Sequence, residues 1–335
     1  MNFRLGTFAG EGAASFPVLV VGDHCVPLTR LELLLRRLNV QLTGAESVLG
    51  LLWNWESNFK ALNRVAREVV GGRSGIEGID PTDLRLRAPI DVPRQIFCTI
   101  ANYRSHILDT VRDPAHTPRL NGPDSPQCLE RAAQAIKERM RSPPYVCLKL
   151  PTSVIGAMDP LELPRDAKRT DWELELGVVI GRVGRRIPRR DAMKYVAGYT
   201  LTNDITVRDW VMRGDLPRLG SDWLQSKSGP GFLPVGPWFV PAAFVPDPYK
   251  LRLNLTLNGE TMQDELVADM LFDIETQIEY ISRYALLLPG DLICTGTPAG
   301  SGTRYKRFLK PGDVMEATAP GFGTQHTECI EEPDQ

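Results

Sequence analysis

The residues best suited to chemistry in this 335-residue chain are the carboxylates of Asp171-Trp172-Glu173-Leu174-Glu175-Leu176. The run Gly177-Val178-Val179-Ile180 that follows predicts a strand. On a strand, successive side chains alternate faces, so Glu173 and Glu175 point the same way. Two like charges side by side cost stability unless something positive lies between them. Asp204, in Thr202-Asn203-Asp204-Ile205-Thr206, stands 29 residues beyond Glu175 and offers a third carboxylate. An oxygen-only set suits a hard divalent cation, Mg²⁺ or Mn²⁺ with Ca²⁺ also allowed, over Zn²⁺. Three carboxylates leave coordination positions open for substrate and water. On spacing alone, a solvated strand face with Asp204 in a turn fits equally well.

The chain holds only four histidines, so each can be weighed singly. His106 follows Asn102-Tyr103-Arg104-Ser105, and Asp109 lies three residues on. One helical turn would bring both onto one face. An imidazole titrating near neutrality suits general-base work on water, and a carboxylate beside it fixes the tautomer. A surface His-x-x-Asp pair with no function has the same spacing. Glu130, on the next helical segment, is a second candidate for the carboxylate. Ser221 and Cys294 have no matched base in any motif and are set aside as nucleophiles.

The elements that must carry these residues read as follows. Val18 to Leu28 predicts two strands around a Gly22-Asp23 turn. Residues 28–70 are helical, with Leu31, Leu34, Leu35 and Leu38, then Leu62, Val65 and Val69, at helical spacing. Gly71 to Gly75 breaks the pattern. Strands are expected at 96–100, 146–150, 173–181 and 198–203. Residues 113–127 read as a mobile loop and 128–140 as a helix facing inward through Leu129, Ala132, Ala133 and Ile136. Residues 211–231 read as a long polar stretch. Leu251 to Leu257 alternates strictly and ends in Asn258-Gly259, a hairpin signal. Ile274, Ile278 and Ile281 mark an amphipathic helix, and Ile293 to Pro298 a strand running into a tight loop. The expected class is α+β and β-dominated, with a small N-terminal α+β module (1–92) and a catalytic domain (93–335). No regular alternation of strand and helix suggests a Rossmann sheet.

A formal charge of −2 gives no electrostatic case for nucleic acid or an anionic membrane surface. No apolar run approaches the roughly 18 residues of a membrane helix, and the first residues carry no export signal. Six scattered cysteines without a CxxC read as reduced thiols in a cytoplasmic protein.

Six motifs run in order across roughly 90–320: Asn102 to His106, Trp172 to Glu175, Gly198 to Asp209, Lys227-Ser228, Gly236-Pro237-Trp238, and Pro289-Gly290-Asp291 through Thr295-Gly296-Thr297-Pro298. In these motifs the chain resembles the fumarylacetoacetate hydrolase family, in particular its acylpyruvase-like bacterial branch. The N-terminal module is similar to the variable N-terminal part of longer members. The resemblance implies a mixed β-roll, a homodimer and one divalent metal per site, held by Glu173, Glu175 and Asp204. It also implies His106 as base with Asp109, and Lys227 as the cation that steadies an oxyanion. Tyr103, Arg104, Arg208 and Thr297 fall in its motifs as substrate-binding candidates. Arg208 and Lys149 could instead support the metal carboxylates or form structural ion pairs. Three positions depart from the family pattern, with Asp109 in place of Glu, Val211 in place of Gln and Pro230 in place of Asp. The last two predict a less polar or reshaped distal pocket.

The reaction expected is hydrolysis of a C–C bond in a 2,4-dioxo acid of acylpyruvate type, giving pyruvate and a carboxylic acid. The alternative is a lyase or isomerase on a 2-oxo acid (decarboxylase, hydratase, dehydratase or tautomerase) using the same metal. A catalytically silent binding protein is a third class; loss of His106 or of a Glu would have favoured it. A lid is expected over 111–144.

Overall fold

The computed structural model describes residues 2–10, 14–72, 75–80, 84–112, 125–216, 218 and 220–333. Its centre is an eight-stranded mixed sheet. In spatial order the strands are Tyr145–Lys149, Ile96–Ile100, Leu292–Cys294, Leu174–Ile180, Val196–Asn203, Leu233–Val235 and Val154–Gly156, with Val240–Pro241 also pairing with Val196–Asn203. The carboxylate-bearing strand Leu174–Ile180 runs antiparallel to Val196–Asn203, Leu174 opposite Asn203. Every residue of both is buried. Burial on two faces explains why Leu176 to Ile180 reads as a nearly continuous apolar run.

A second sheet of five strands packs over this one, in the order Glu260–Leu266, Arg252–Leu257, Val314–Ala319, Gly323–Glu331 and Leu161–Leu163. Arg252–Leu257 buries Leu253, Leu255 and Leu257 and turns Arg252, Asn254 and Thr256 outward, as its alternation requires. Leu253, Leu255 and Leu257 share one core cluster with Leu174, Leu176 and Val178 of the central sheet. The helix Ile274–Tyr284 closes one side, capped by Asp273 and buried through Ile274, Ile278 and Ile281. The class is α+β and strand-rich.

The N-terminal stretch forms its own four-stranded sheet, His24–Pro27, Phe16–Val21, Arg4–Ala9 and Arg85–Arg87. Its helices include Glu32–Arg37, Val48–Leu52 and Trp55–Val70. Leu62, Val65 and Val69 are buried, as their spacing requires. These side chains do not make a closed core of their own. Phe3, Leu5, Leu62 and Val65 lie in one cluster with Val179, Leu233 and Leu292 of the central sheet. Leu5 and Phe239 exchange both backbone hydrogen bonds, at 3.0 and 2.8 Å.

Two expectations are corrected. The helix after the His motif runs Pro126–Arg141 and buries Cys128 and Ala132, while Leu129 stays 48 % exposed. Packing of Cys128 and Ala132 against Ile107 and Val111 fixes this rotation. The polar stretch 211–231 contains a short helix, Trp223–Lys227, whose cap Asp222 accepts from the Gln225 N–H. Five residues are too few to show a period. The loop expected at 113–127 falls mostly on residues 113–124, which lie outside the described residues.

Candidate active site

Glu173, just ahead of the strand, is held by its backbone N–H donating to Asn203 Oδ1 at 2.9 Å. Glu175 is on the strand, and Asp204 follows the neighbouring strand, its N–H donating to the Glu173 carbonyl at 2.8 Å. The two-strand pairing thus converges all three carboxylates, one oxygen of each lying within 4.8 Å of the others. All three are buried. Such a cluster could hold a divalent cation.

Three cations surround it. Lys227 Nζ donates to Glu173 Oε2 at 2.8 Å, Asp204 Oδ2 at 2.6 Å and Thr206 Oγ1 at 2.7 Å, which uses all three of its protons. Lys149 Nζ donates to Asp204 Oδ1 at 2.6 Å and to the Ile205 carbonyl at 3.1 Å. Arg208 pairs with Glu173 Oε1 at 2.7 Å through Nη2 and with Asp171 Oδ2 at 2.8 Å through Nε. Four carboxylates therefore face three cations.

The ionisation pattern follows from that count. Burial alone would raise the Glu173 carboxyl, but Lys227 and Arg208 outweigh it and hold the group well below the usual carboxylate range. Burial, reinforced by Asp204, keeps Glu175 well above that range. Its contact with the Gly296 N–H, 2.8 Å from Oε2, does not compensate. Burial opposes the Lys227 charge, and Asp204 and Glu173 overcome it, so the ammonium is held well above its ordinary value. With a proton on Glu175 the four carboxylates and three cations are formally neutral. A divalent cation that displaced this proton would leave one positive charge over, suited to an anionic ligand.

His106 lies on the helix Arg104–Arg112 and faces the same cavity, of about 550 Å³, as Glu173, Glu175 and Lys227. Burial pushes its imidazole below the ordinary value of 6.5; Glu173 pulls upward without overcoming this. The loop before it is pinned by Asn102, whose Nδ2 donates to the Thr295 carbonyl at 2.8 Å and the Phe272 carbonyl at 3.0 Å. Gly296 faces Asn102 so closely that a Cβ there would lie 2.7 Å from Asn102 Cβ, and its φ is +95°. Only glycine meets both demands without strain.

The expected bond between His106 and Asp109 is not formed. Asp109 Oδ2 accepts from the Gly300 N–H at 2.9 Å, and Oδ1 pairs with Arg304 at 3.2 Å and Arg112 at 3.5 Å. Two guanidinium groups and a backbone donor outcompete a neutral imidazole. His106 Nδ1 is buried without a partner among the described residues. Glu130 is exposed. Of the substrate-binding candidates, Arg208 and Thr297 line the cavity and Tyr103 and Arg104 do not. Thr297 Oγ1 donates to the Leu174 carbonyl at 2.9 Å and accepts from Gln263 Nε2 at 2.9 Å. Arg104 is spent on the carbonyls of Asp269 and Met270, at 3.0 and 2.8 Å. Val211 lines the cavity and Pro230 does not. Sequence reasoning missed Thr206, Asp171, Arg169 and Trp223. The first two sit inside motifs already singled out, while Arg169 and Trp223 carry no sequence signal.

Residues 95–329 match the model of the fumarylacetoacetate (FAA) hydrolase C-terminal domain. The chain belongs to the fumarylacetoacetate hydrolase family. Among the family's curated members, the chain is 34% identical over 244 residues to the mitochondrial oxaloacetate tautomerase fahd2 of Xenopus laevis, covering 72% of this chain and 67% of that one. It is 39% identical over 191 residues to a 2,4-didehydro-3-deoxy-L-rhamnonate hydrolase of Sphingomonas sp. (strain SKA58), covering 56% and 65%. Its fold matches the crystal structure of a putative HpcE protein from Mycobacterium smegmatis with a TM-score of 0.71 at 28% identity, over 98% of this chain and 100% of that one. The relatives thus include proteins named as hydrolases and as tautomerases.

Proposed function

We propose that the protein hydrolyses a C–C bond in a 2,4-dioxo acid of the acylpyruvate class, releasing pyruvate and a carboxylic acid. The observation that carries this reading is the convergence of Glu173, Glu175 and Asp204, with Glu173, Glu175 and His106 lining one cavity that extends well beyond them. A divalent cation held by the three carboxylates, Mg²⁺ or Mn²⁺, would polarise the substrate's 2-oxo group and stabilise enolate charge. His106, its imidazole kept neutral by burial, takes a proton from water as the oxygen adds to C4. Lys227 supplies fixed positive charge as the C4 oxygen becomes an oxyanion. On collapse the C3–C4 bond breaks, its electron pair passes into the pyruvate enolate, and the His106 imidazolium returns the proton to C3. Arg208 holds Glu173 in place through its ion pair, and Thr297 keeps the 295–298 loop on the strand edge.

A second reading, tautomerisation of a 2-oxo acid, is favoured by Asp109. With its carboxylate committed to Arg304, Arg112 and Gly300, no partner among the described residues holds His106 Nδ1 for attack by water. An imidazole that only moves a proton between carbon and oxygen needs less orientation. The test is a panel of acylpyruvates and oxaloacetate, assayed with Mg²⁺ or Mn²⁺ and with chelator. Cation-dependent release of pyruvate and the matching carboxylic acid from an acylpyruvate supports hydrolysis. Loss of the enol form without pyruvate release moves the protein to the second reading.

We place the protein in the cytoplasm as a homodimer. Six unpaired cysteines fit a reducing compartment. Leu148 on the edge strand of the central sheet and Leu150 just after it, 63 % and 45 % exposed, fit burial by a second copy. Light scattering at working concentration checks the dimer.

A further inference from the structure

The cavity has a second charged feature that the proposed reaction does not use. Arg169, half-buried, lines it alongside Arg208 and Lys227. The other two are consumed by Asp171, Glu173 and Asp204. Among the described residues no carboxylate comes within ion-pair distance of Arg169. Its guanidinium instead rests over the Phe308 ring, 4.9 Å from the centroid. That stacking holds the planar group while leaving its edge donors free for a ligand. Its own carbonyl accepts the Arg208 N–H at 2.9 Å, which ties its backbone to the carboxylate cluster. Four acids line the same cavity. Asp109, Glu173 and Glu175 are engaged as described above, and the Asp209 carboxylate accepts from the Lys168 N–H at 3.0 Å. Val211, Met212 and Trp223 add apolar lining to the same cavity.

An arginine in a concave site with no internal partner is an unmatched cation. It is stabilised by an anion arriving with the ligand, and its fork matches a carboxylate bidentately. We infer that Arg169 is a specificity residue that binds a second, distal carboxylate, so that the preferred substrates are dicarboxylic 2-oxo acids with an apolar stretch between their two ends. This rests on the reading of the site as one for 2-oxo acids and names the subclass. It also revises the expectation of a less polar distal pocket. Val211 removes polarity at one point of the wall, and Arg169 restores a charge from another element.

The test is binding, which does not depend on turnover. Matched ligand pairs differ only at the far end: 2-oxoglutarate against 5-methyl-2-oxohexanoate, and 2-oxoadipate against 6-methyl-2-oxoheptanoate. Each is titrated into the full chain with Mg²⁺. The wild-type protein is expected to favour at least one diacid over its partner by about tenfold, the scale of one charge-assisted pair. In Arg169→Met that ratio collapses toward one, and Arg169→Lys restores part of it. A loss of folding would lower all four affinities together and leave the ratio intact, so the ratio isolates the role. No wild-type preference, or a preference that survives Arg169→Met, overturns the assignment. If neither member of any pair binds, the assignment falls together with the 2-oxo acid reading. If the preference appears but no acylpyruvate is cleaved, only the hydrolytic reading falls.

Discussion

Lys227→Met removes one of the three cations that balance four buried carboxylates, and keeps most of the side chain's volume. In the absence of a divalent cation, Glu173 and Asp204 lose the donor they share at 2.8 and 2.6 Å, and Thr206 loses a third contact at 2.7 Å. Lys149 and Arg208 remain, one on Asp204 and one on Glu173, but they cover only the other oxygens. Breaking a buried network from one side leaves uncompensated charge and typically costs about 3–5 kcal/mol. A divalent cation in the same cluster would supply that missing charge. The loss is therefore expected to be near its full size in chelator and mostly recovered in saturating Mn²⁺. Affinity for Mn²⁺ is expected to tighten, because a competing cation has gone. Denaturant unfolding of wild type and variant, each with EDTA and with Mn²⁺, reads the first quantity, and calorimetric titration reads the second. An equal loss of stability under both conditions, with unchanged Mn²⁺ affinity, would refute the idea that Lys227 and a divalent cation answer the same carboxylates.

Other expectations follow from the same geometry. Glu175→Ala should weaken Mg²⁺ or Mn²⁺ binding severely in calorimetry; unchanged affinity would sink the ligand assignment. Because burial holds the His106 imidazole below 6.5, its neutral form persists to lower pH than an ordinary histidine's. The acid limb of kcat/KM should therefore lie below pH 6.5, and a limb at or above it would count against His106 as the base. Asp109→Asn should cost roughly 1–3 kcal/mol of stability by loosening Arg304, Arg112 and Gly300. The Asp109 charge pulls the His106 imidazole upward, so that limb should move to lower pH, and an upward shift would contradict this.

The carboxylate site was legible because its chemistry is written in short spacing. Glu173, one residue ahead of the strand, and Glu175 on it are two residues apart, and Asp204 lies beside them because it directly follows the strand that pairs with theirs. Strong periodic signals also held, as in the Arg252–Leu257 hairpin and the helix Ile274–Tyr284. What failed to show was the choice among partners. His106 and Asp109 do lie one helical turn apart, yet Asp109 is claimed by Arg304 and Gly300, nearly two hundred residues away in sequence. Local spacing carries no information about such competitors. Arg169 was illegible for a related reason. A half-buried arginine becomes notable only when its neighbours' pairings are known and it is the one left over. The face of the helix Pro126–Arg141 was misread at Leu129 because the docking partner, not the helix's own pattern, sets the rotation.

The central claim, that water guided by His106 adds to a 2,4-dioxo acid held at the carboxylate cluster, is tested most directly by turnover in ¹⁸O-water with Mg²⁺ or Mn²⁺. The expected result is pyruvate together with a carboxylic acid carrying ¹⁸O, both lost in chelator and in His106→Ala. Recovery of intact 2,4-dioxo acid, with no pyruvate formed, would contradict it.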